Sequence, residues 1–360
     1  MTQQIKKAYL LLEDGTEFSG YSMGKSGTAI GEVVFNTCTA SYEELLSDPT
    51  YYGQIVAQTY PLVGNRGVSR ERKESEIMSN GYIVREWCDV SGDGALSLDD
   101  YLREQGIVGI YGIDTRRLTR ALRDKGYMKG AITDSLQNRE ALLEDIKKYT
   151  ISGAVEAITV KTPEHIETEN AKFRVAVLDY GFPRKTLDAF TSRGCSLDIL
   201  PADYTAEQIA ALSPDGILLS DGPADPDDNP ELIEHIREII KSGIPVLAIG
   251  LGYQMLSLAV GAKIVKMPQG HRGSNQPVLI ENTDRLMVTD QNHGYCVARD
   301  SVLPETAEIL FSNINDRSVE GLRYKAFPGV GVQFTPSGDR DSSTSWIFDS
   351  FLETMKEVRA

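Results

Sequence analysis

Two apolar patterns divide the chain. Through the first part, short apolar runs are broken by polar turns. Residues 9–18 read strand, turn, strand around Asp14-Gly15, because Asp-Gly between apolar runs is a strong hairpin signal. Residues 31–36, 54–60 and 82–86 read as further strands, the last behind the Ser79-Asn80-Gly81 turn. Residues 39–46 turn toward helix, and 98–105 and 115–125 have helical spacing, the second starting after Asp114-Thr115 as a cap. Many short strands with few helices predict an α+β domain over residues 1–153. Residues 154–171 are polar, with Pro163 and scattered charge, and read as a linker.

From residue 172 the pattern changes. Buried-strand runs at 173–179, 196–201 and 216–220 alternate with helical stretches at 185–193 and 206–212. That alternation predicts an α/β domain over 172–360, a doubly wound, mostly parallel sheet. Ligands of such sheets sit beyond the carboxyl ends of the strands. Three loops converge there by that rule: 220–226, 250–252 and 331–337. The middle one stands out. Val246 to Ile249 is a short apolar strand, Gly250-Leu251-Gly252 a sharp turn, and 253–260 a helix. Strand, tight turn, helix is the nucleophile elbow, which lifts one side chain above a sheet on a strained backbone. The apex calls for Cys or Ser, and here it is Gly250.

Composition narrows the function classes. With 360 residues, 41% hydrophobic and 25% charged, the chain is of ordinary globular composition and long enough for two or three domains. A net charge of −15 argues against nucleic acid and anionic membranes as partners. No apolar stretch approaches the roughly 18–20 residues of a membrane span. The first residues lack the apolar core of a signal peptide. Cys38, Cys88, Cys195 and Cys296 are widely spaced, which fits single thiols in a reducing cytoplasm. No cofactor is expected.

Candidate chemistry is sparse. A thiol acyl-transfer site would pair the elbow nucleophile with a His on the third loop, oriented by a carboxylate, and backbone N–H groups would form an oxyanion hole. The third loop offers Thr335 and Ser337, whose hydroxyls do not accept a proton near neutral pH and so cannot act as a general base. His165 lies in the linker, and His235 shares a helix with Glu231, Glu234 and Glu238 and reads as a solvated face. His271 and His293 read as Gly-flanked loop residues that could line the cleft. His293 and Cys296 alone are too few for a metal, which needs three or four ligands. Cys38 reads as a packed thiol. Asp89, Ser91, Asp93 and Asp100 fall near calcium-loop spacing, but strand precedes them where a helix should enter.

These residues together resemble the small, glutamine-hydrolysing subunit of carbamoyl-phosphate synthase, nearly end to end. The first half carries the likeness in Leu12-Glu-Asp-Gly-Thr-Glu-Phe, Gly31-Glu-Val-Val-Phe-Asn-Thr, Asp48-Pro-Thr-Tyr-Tyr-Gly-Gln-Ile-Val, Thr59-Tyr-Pro-Leu-Val-Gly-Asn and Gly109-Ile-Tyr-Gly-Ile-Asp-Thr-Arg. The second half carries it in Pro214-Asp-Gly-Ile-Leu-Leu-Ser, Gly270-His-Arg-Gly, Asn292-His-Gly and Val332-Gln-Phe. The second half alone would match any class I amidotransferase, so the first half points to this subunit. Such subunits hydrolyse glutamine with a Cys-His-Glu triad and pass ammonia to a large synthetase subunit, which uses ATP and bicarbonate to make carbamoyl phosphate for pyrimidines and arginine.

The resemblance also marks departures. The triad positions are Gly250, Thr335 and Ser337. Tyr253 stands for a His, Ala224 for the second Gly of the oxyanion loop, and Cys38 for a Ser that reaches glutamine. Glutamine-contacting positions that remain are Gly222, Leu251, Gln254, Asn292 and Gly294, with Tyr295 where Phe is common. Loss of a whole triad with its neighbours implies a subunit that no longer hydrolyses glutamine but still joins a large synthetase subunit. Two other readings stay open: a module that binds glutamine or another amino acid without turnover, and a hydrolase using an unrecognised constellation.

Overall fold

The computed structural model describes residues 6–38, 42–69, 77–89 and 95–360. It divides into two compact units, Met1–Ser152 and Gly153–Ala360.

The first unit contains β1 (Lys7–Leu12), β2 (Glu17–Gly24), β3 (Thr28–Asn36), β4 (Gln54–Gln58), β5 (Leu62–Val63), β6 (Val68–Ser69), β7 (Gly81–Val84), β8 (Glu86–Trp87), β9 (Ala95–Leu96), β10 (Val108–Tyr111) and β11 (Met128–Thr133). Seven of these close into a barrel in the order β1-β11-β3-β4-β7-β10-β2. Alternation sorts the side chains. Leu10, Phe18, Val33, Ile55, Ile83, Ile110 and Ile132, one from each barrel strand, fill the interior. Val34, Val56 and Tyr82 face outward, against Leu98 and Leu102 of the helix Leu98–Glu104. Asp114 caps the helix Thr115–Lys125 by accepting from Arg117 N at 2.9 Å.

The second unit contains β12 (Glu164–Ile166), β13 (Phe173–Asp179), β14 (Cys195–Pro201), β15 (Gly216–Leu219), β16 (Val246–Ile249), β17 (Ile264–Ile280), β18 (Leu286–Val297), β19 (Ala307–Asn313), β20 (Val319–Tyr324) and β21 (Gly329–Val332). They form one sheet in the order β12-β14-β13-β15-β16-β21-β20-β18-β17-β19. β14, β13, β15, β16 and β21 run parallel; the remaining strands extend the sheet antiparallel. Adjacent residues of the parallel strands serve opposite layers. Leu178, Leu219 and Ala248 pack under Ile236, Met255 and Leu256, while Val177, Leu218 and Leu247 pack under Phe190, Phe348 and Phe351. This is the two-sided burial that near-continuous apolar strands require.

Residues 154–171 are not a linker. They form the helix Ala154–Ile158 and the edge strand β12, which pairs antiparallel with β14. Polar composition suits an exposed edge strand as well as a linker. Val160 N donates to Asp179 Oδ2 at 2.9 Å, and His165 Nδ1 lies 2.8 Å from Asp198 Oδ1. His235 is half-buried on its helix, with Nδ1 enclosed and without a hydrogen-bond partner among the described residues. Among the described residues, no helix is long and apolar enough to cross a membrane.

Candidate functional site

The elbow forms where the sequence places it. β16 ends at Ile249, Gly250 turns the chain at φ +53 and ψ −113, and the helix Leu251–Ala259 begins at once. Two backbone bonds fix the turn: Gly250 N donates to Val332 O at 2.9 Å, and Gly252 N to Ser220 O at 2.9 Å. The left-handed φ suits glycine, which has no Cβ to clash with the following carbonyl.

The space above Gly250 is filled. A Cβ built there would collide with the Asp221 carboxylate at Oδ1, Cγ and Oδ2. Asp221 Oδ1 accepts from its own neighbour Gly222 N at 2.8 Å and from Leu251 N at 3.0 Å. The N–H after an elbow apex, with an N–H from a neighbouring loop, is the pair that would otherwise face a developing oxyanion. Here both point at a resident carboxylate.

Asp221 is held by its loop. Ser220 Oγ accepts from Tyr180 N at 2.9 Å and donates to Asp221 O at 2.9 Å. Gly222 has no room for a side chain, since a Cβ would strike Tyr180 O. Ala224 sits at φ +74, the left-handed region that a Cβ disfavours. Asp225 then caps the short turn Pro226–Asp228 by accepting from Asp227 N at 3.0 Å.

The third loop leaves β21 through buried Gln333 and Phe334. Thr335 N donates to Asp290 O at 3.0 Å. Ser337 N donates to Thr344 Oγ1 at 3.0 Å, and Ser337 Oγ accepts from Asp339 N at 3.2 Å. No imidazole or carboxylate occupies either position. Tyr253 is fully buried against Gly331, its hydroxyl enclosed with no hydrogen-bond partner among the described residues, and burial holds that hydroxyl well above its usual pKa.

The remaining positions separate. Gln254 is buried, and its Nε2 donates to Tyr295 O and to Gln333 Oε1, both at 3.0 Å, tying the elbow helix to β18 and the third loop. Asn292, Gly294 and Tyr295 are half-buried on β18, and Lys266 Nζ lies 5.5 Å from the Tyr295 ring centre. Cys38 belongs to the first unit, half-buried just past β3, where its N donates to Asn36 Oδ1 at 2.6 Å and its O accepts from Gln58 Nε2 at 3.1 Å. Ser91 and Asp93 of the calcium-loop pattern lie outside the described residues. Strands β7 and β8 precede that segment, and Asp100 is engaged by Ser97 Oγ at 2.9 Å and Arg103 Nη1 at 2.7 Å.

His271 and His293 are strand residues, contrary to the loop reading. They pair directly across β17 and β18, buried, with ring centres 5.1 Å apart. Glu320 of β20, fully buried, joins them. Burial pulls the His271 pKa down, but Asp316 and Glu320 outweigh it and hold it up at about 9. Burial, reinforced by the neighbouring His271, holds His293 well below its usual value. Glycines beside each His suggested loops, whereas bulges between Lys266 and His271 and between Gly273 and Gln276 absorb Gly270 and Gly273 within one long strand.

Comparison with known proteins accounts for both units. Residues 10–132 match the family model "Carbamoyl-phosphate synthase small chain, CPSase domain", and residues 176–354 match "Glutamine amidotransferase class-I". A carbamoyl phosphate synthase small chain from Listeria monocytogenes is 40% identical over 355 residues, covering 98% of this chain and 97% of that one. One from Fusobacterium nucleatum is 41% identical over 353 residues, covering 96% and 97%. One from Clostridium perfringens is 40% identical over 353 residues, covering 96% and 99%. These matches cover both units, and the chain therefore belongs to the carbamoyl-phosphate synthase small-chain family, with a class I glutamine amidotransferase domain as its second unit.

Proposed function

We propose that this chain is a small subunit that does not hydrolyse glutamine and acts as a structural or regulatory partner of a large synthetase subunit. The complex would then make carbamoyl phosphate from free ammonia. The observation that carries this reading is the Asp221 carboxylate. It fills the volume a nucleophile on residue 250 would need and takes up the Gly222 and Leu251 N–H groups. Acyl transfer from glutamine needs a nucleophile, a base within reach of it, and donors free for the oxyanion. Gly250 supplies no nucleophile, Thr335 and Ser337 supply no base, and the donors are engaged. In this reading Gly222, Ala224, Leu251, Gln254, Asn292, Gly294 and Tyr295 are what remains of a glutamine pocket in the second unit.

The nitrogen donor tests it. The chain is combined with a large carbamoyl-phosphate synthase subunit, and carbamoyl phosphate is measured with ammonium or with glutamine. Ammonium supports synthesis and glutamine does not. Glutamine-dependent synthesis would refute the proposal.

A further inference from the structure

We propose that His271, His293, Glu320 and Gln291 form a buried divalent transition-metal site, best suited to zinc, that pins β17, β18 and β20 together. His293 is caught in a hydrogen-bond conflict. His293 stands between two carbonyl oxygens, with Nδ1 2.8 Å from Tyr295 O and Nε2 2.9 Å from Gln291 Oε1. A neutral imidazole carries one proton, so one of those contacts sets a lone pair against an acceptor. Nδ1–H donating to the fixed backbone carbonyl leaves the Nε2 lone pair directed at Gln291.

His271 adds a second ring nitrogen at the same centre, one that a metal ion would have to win from a proton, since burial is outweighed by Asp316 and Glu320, which hold the ring's pKa up at about 9. Its Nε2 lies 2.9 Å from Asp316 Oδ2, which fixes the proton there. Its Nδ1 is 2.9 Å from Gln291 Oε1 and 3.3 Å from Glu320 Oε1. The Asn313 amide nitrogen, 3.4 Å from the same Nδ1, also treats it as an acceptor. Turning the Gln291 amide over relieves both His contacts. It then sets the amide oxygen against Glu320 Oε2, because the atom now 3.0 Å from that oxygen is the amide nitrogen. No arrangement of neutral side chains with an ionised Glu320 satisfies all four groups. A positive occupant does: either a proton on this cluster or a metal ion at its centre.

The arrangement suits a metal. Two imidazole nitrogens, a carboxylate oxygen and an amide oxygen converge, and the His and Glu donor atoms lie within 4.8 Å of one another. Zinc bonds of about 2.0–2.2 Å hold tetrahedral donors roughly 3.3–3.5 Å apart, so the site needs small side-chain shifts. Imidazole with carboxylate is a donor set for zinc and its neighbours. The surrounding contacts are those that orient metal ligands: His271 Nε2 on a carboxylate, His293 Nδ1 on a backbone carbonyl, and Ser318 Oγ donating to Glu320 Oε1 at 2.9 Å. With four protein donors and no open position, the site is structural. By strand alternation Asn292 and Gly294 lie on the opposite face of β18 from His293, so the metal would set the strand that presents them.

The test uses the full chain, stripped with chelator and titrated with zinc against a chromophoric competitor. Cobalt serves as a visible-absorption probe of tetrahedral geometry. The proposal expects one zinc per chain, a higher melting temperature with zinc, and a tetrahedral cobalt spectrum. Asp316→Asn should weaken zinc binding about 10–100-fold, and Glu320→Gln should weaken it more while keeping the fold. Zinc below stoichiometric binding with an unmoved melting temperature overturns the proposal, as does full-affinity binding by Glu320→Gln. A zinc-free Glu320→Gln chain as stable as the parent, together with no zinc binding by the parent, gives the neutralising role to a proton in the cluster and also overturns it.

Discussion

Asp221 and residue 250 compete for one volume. Replacing Gly250 with Cys puts a Cβ at positive φ, which costs about 1–3 kcal/mol, and drives the Asp221 carboxylate off two N–H groups. Gly250→Cys should therefore destabilise the chain by about 1–3 kcal/mol in urea unfolding and should not create a glutaminase. Asp221→Ala in that background should recover part of the loss, with a coupling of about 0.5–3 kcal/mol. Strictly additive effects would show that the two residues do not share the space. Ala224 gives a second test. Its φ of +74 costs roughly 1–2 kcal/mol, and the extra freedom of an unfolded glycine returns about 0.4–1 kcal/mol of that. Ala224→Gly should raise stability by several tenths to about 1 kcal/mol, and a loss would contradict the strain. At this scale the elbow glycine was legible, because strand, turn and helix surround it. The role of Asp221 was not. A carboxylate in a Gly/Pro turn looks the same in sequence whether it faces water or a turn 29 residues further on.

The elements that frame the cleft depend on one buried cation. Arg193 closes the helix Lys185–Thr191, and its side chain is 1% exposed. Its Nε donates to Asp349 Oδ1 at 2.7 Å, Nη1 to Ala189 O at 3.0 Å and Gly338 O at 3.3 Å, and Nη2 to Ser345 O at 3.3 Å. It thus fastens the segment after the third loop and the helix Trp346–Arg359 to the rest of the domain. Arg193→Ala leaves buried acceptors unpaired and should destabilise by about 3 kcal/mol. Arg193→Lys should recover little, since an ammonium cannot match the fork. Denaturation midpoints check both, and a Lys variant as stable as the parent would contradict the geometry. The Asp14-Gly15 hairpin and the helix behind Asp114 were legible because their signals are local. Strand β12 and the strand setting of His271 were not. Pro163 and scattered charge mark edge strands and linkers alike, and the bulges that absorb Gly270 and Gly273 arise from pairing with β18.

For the whole molecule, alternating strands and helices specify a doubly wound domain, and the structure extends it with antiparallel strands to ten. Barrel closure in the first unit was not readable, because it rests on β1 pairing with both β2 and β11, and the second partner lies over a hundred residues away. Likewise the sequence offered His293 and Cys296 as too few for a metal, since Glu320 reaches His271 only through sheet order. Family membership covers both units, so the account turns on whether this member still hydrolyses glutamine. The direct measurement is glutamate release from glutamine by the purified chain, alone and with a large synthetase subunit, against a mock preparation lacking the chain. The account predicts release at the mock level in both cases. Release that rises with the amount of chain would contradict it and would require a nucleophile other than residue 250.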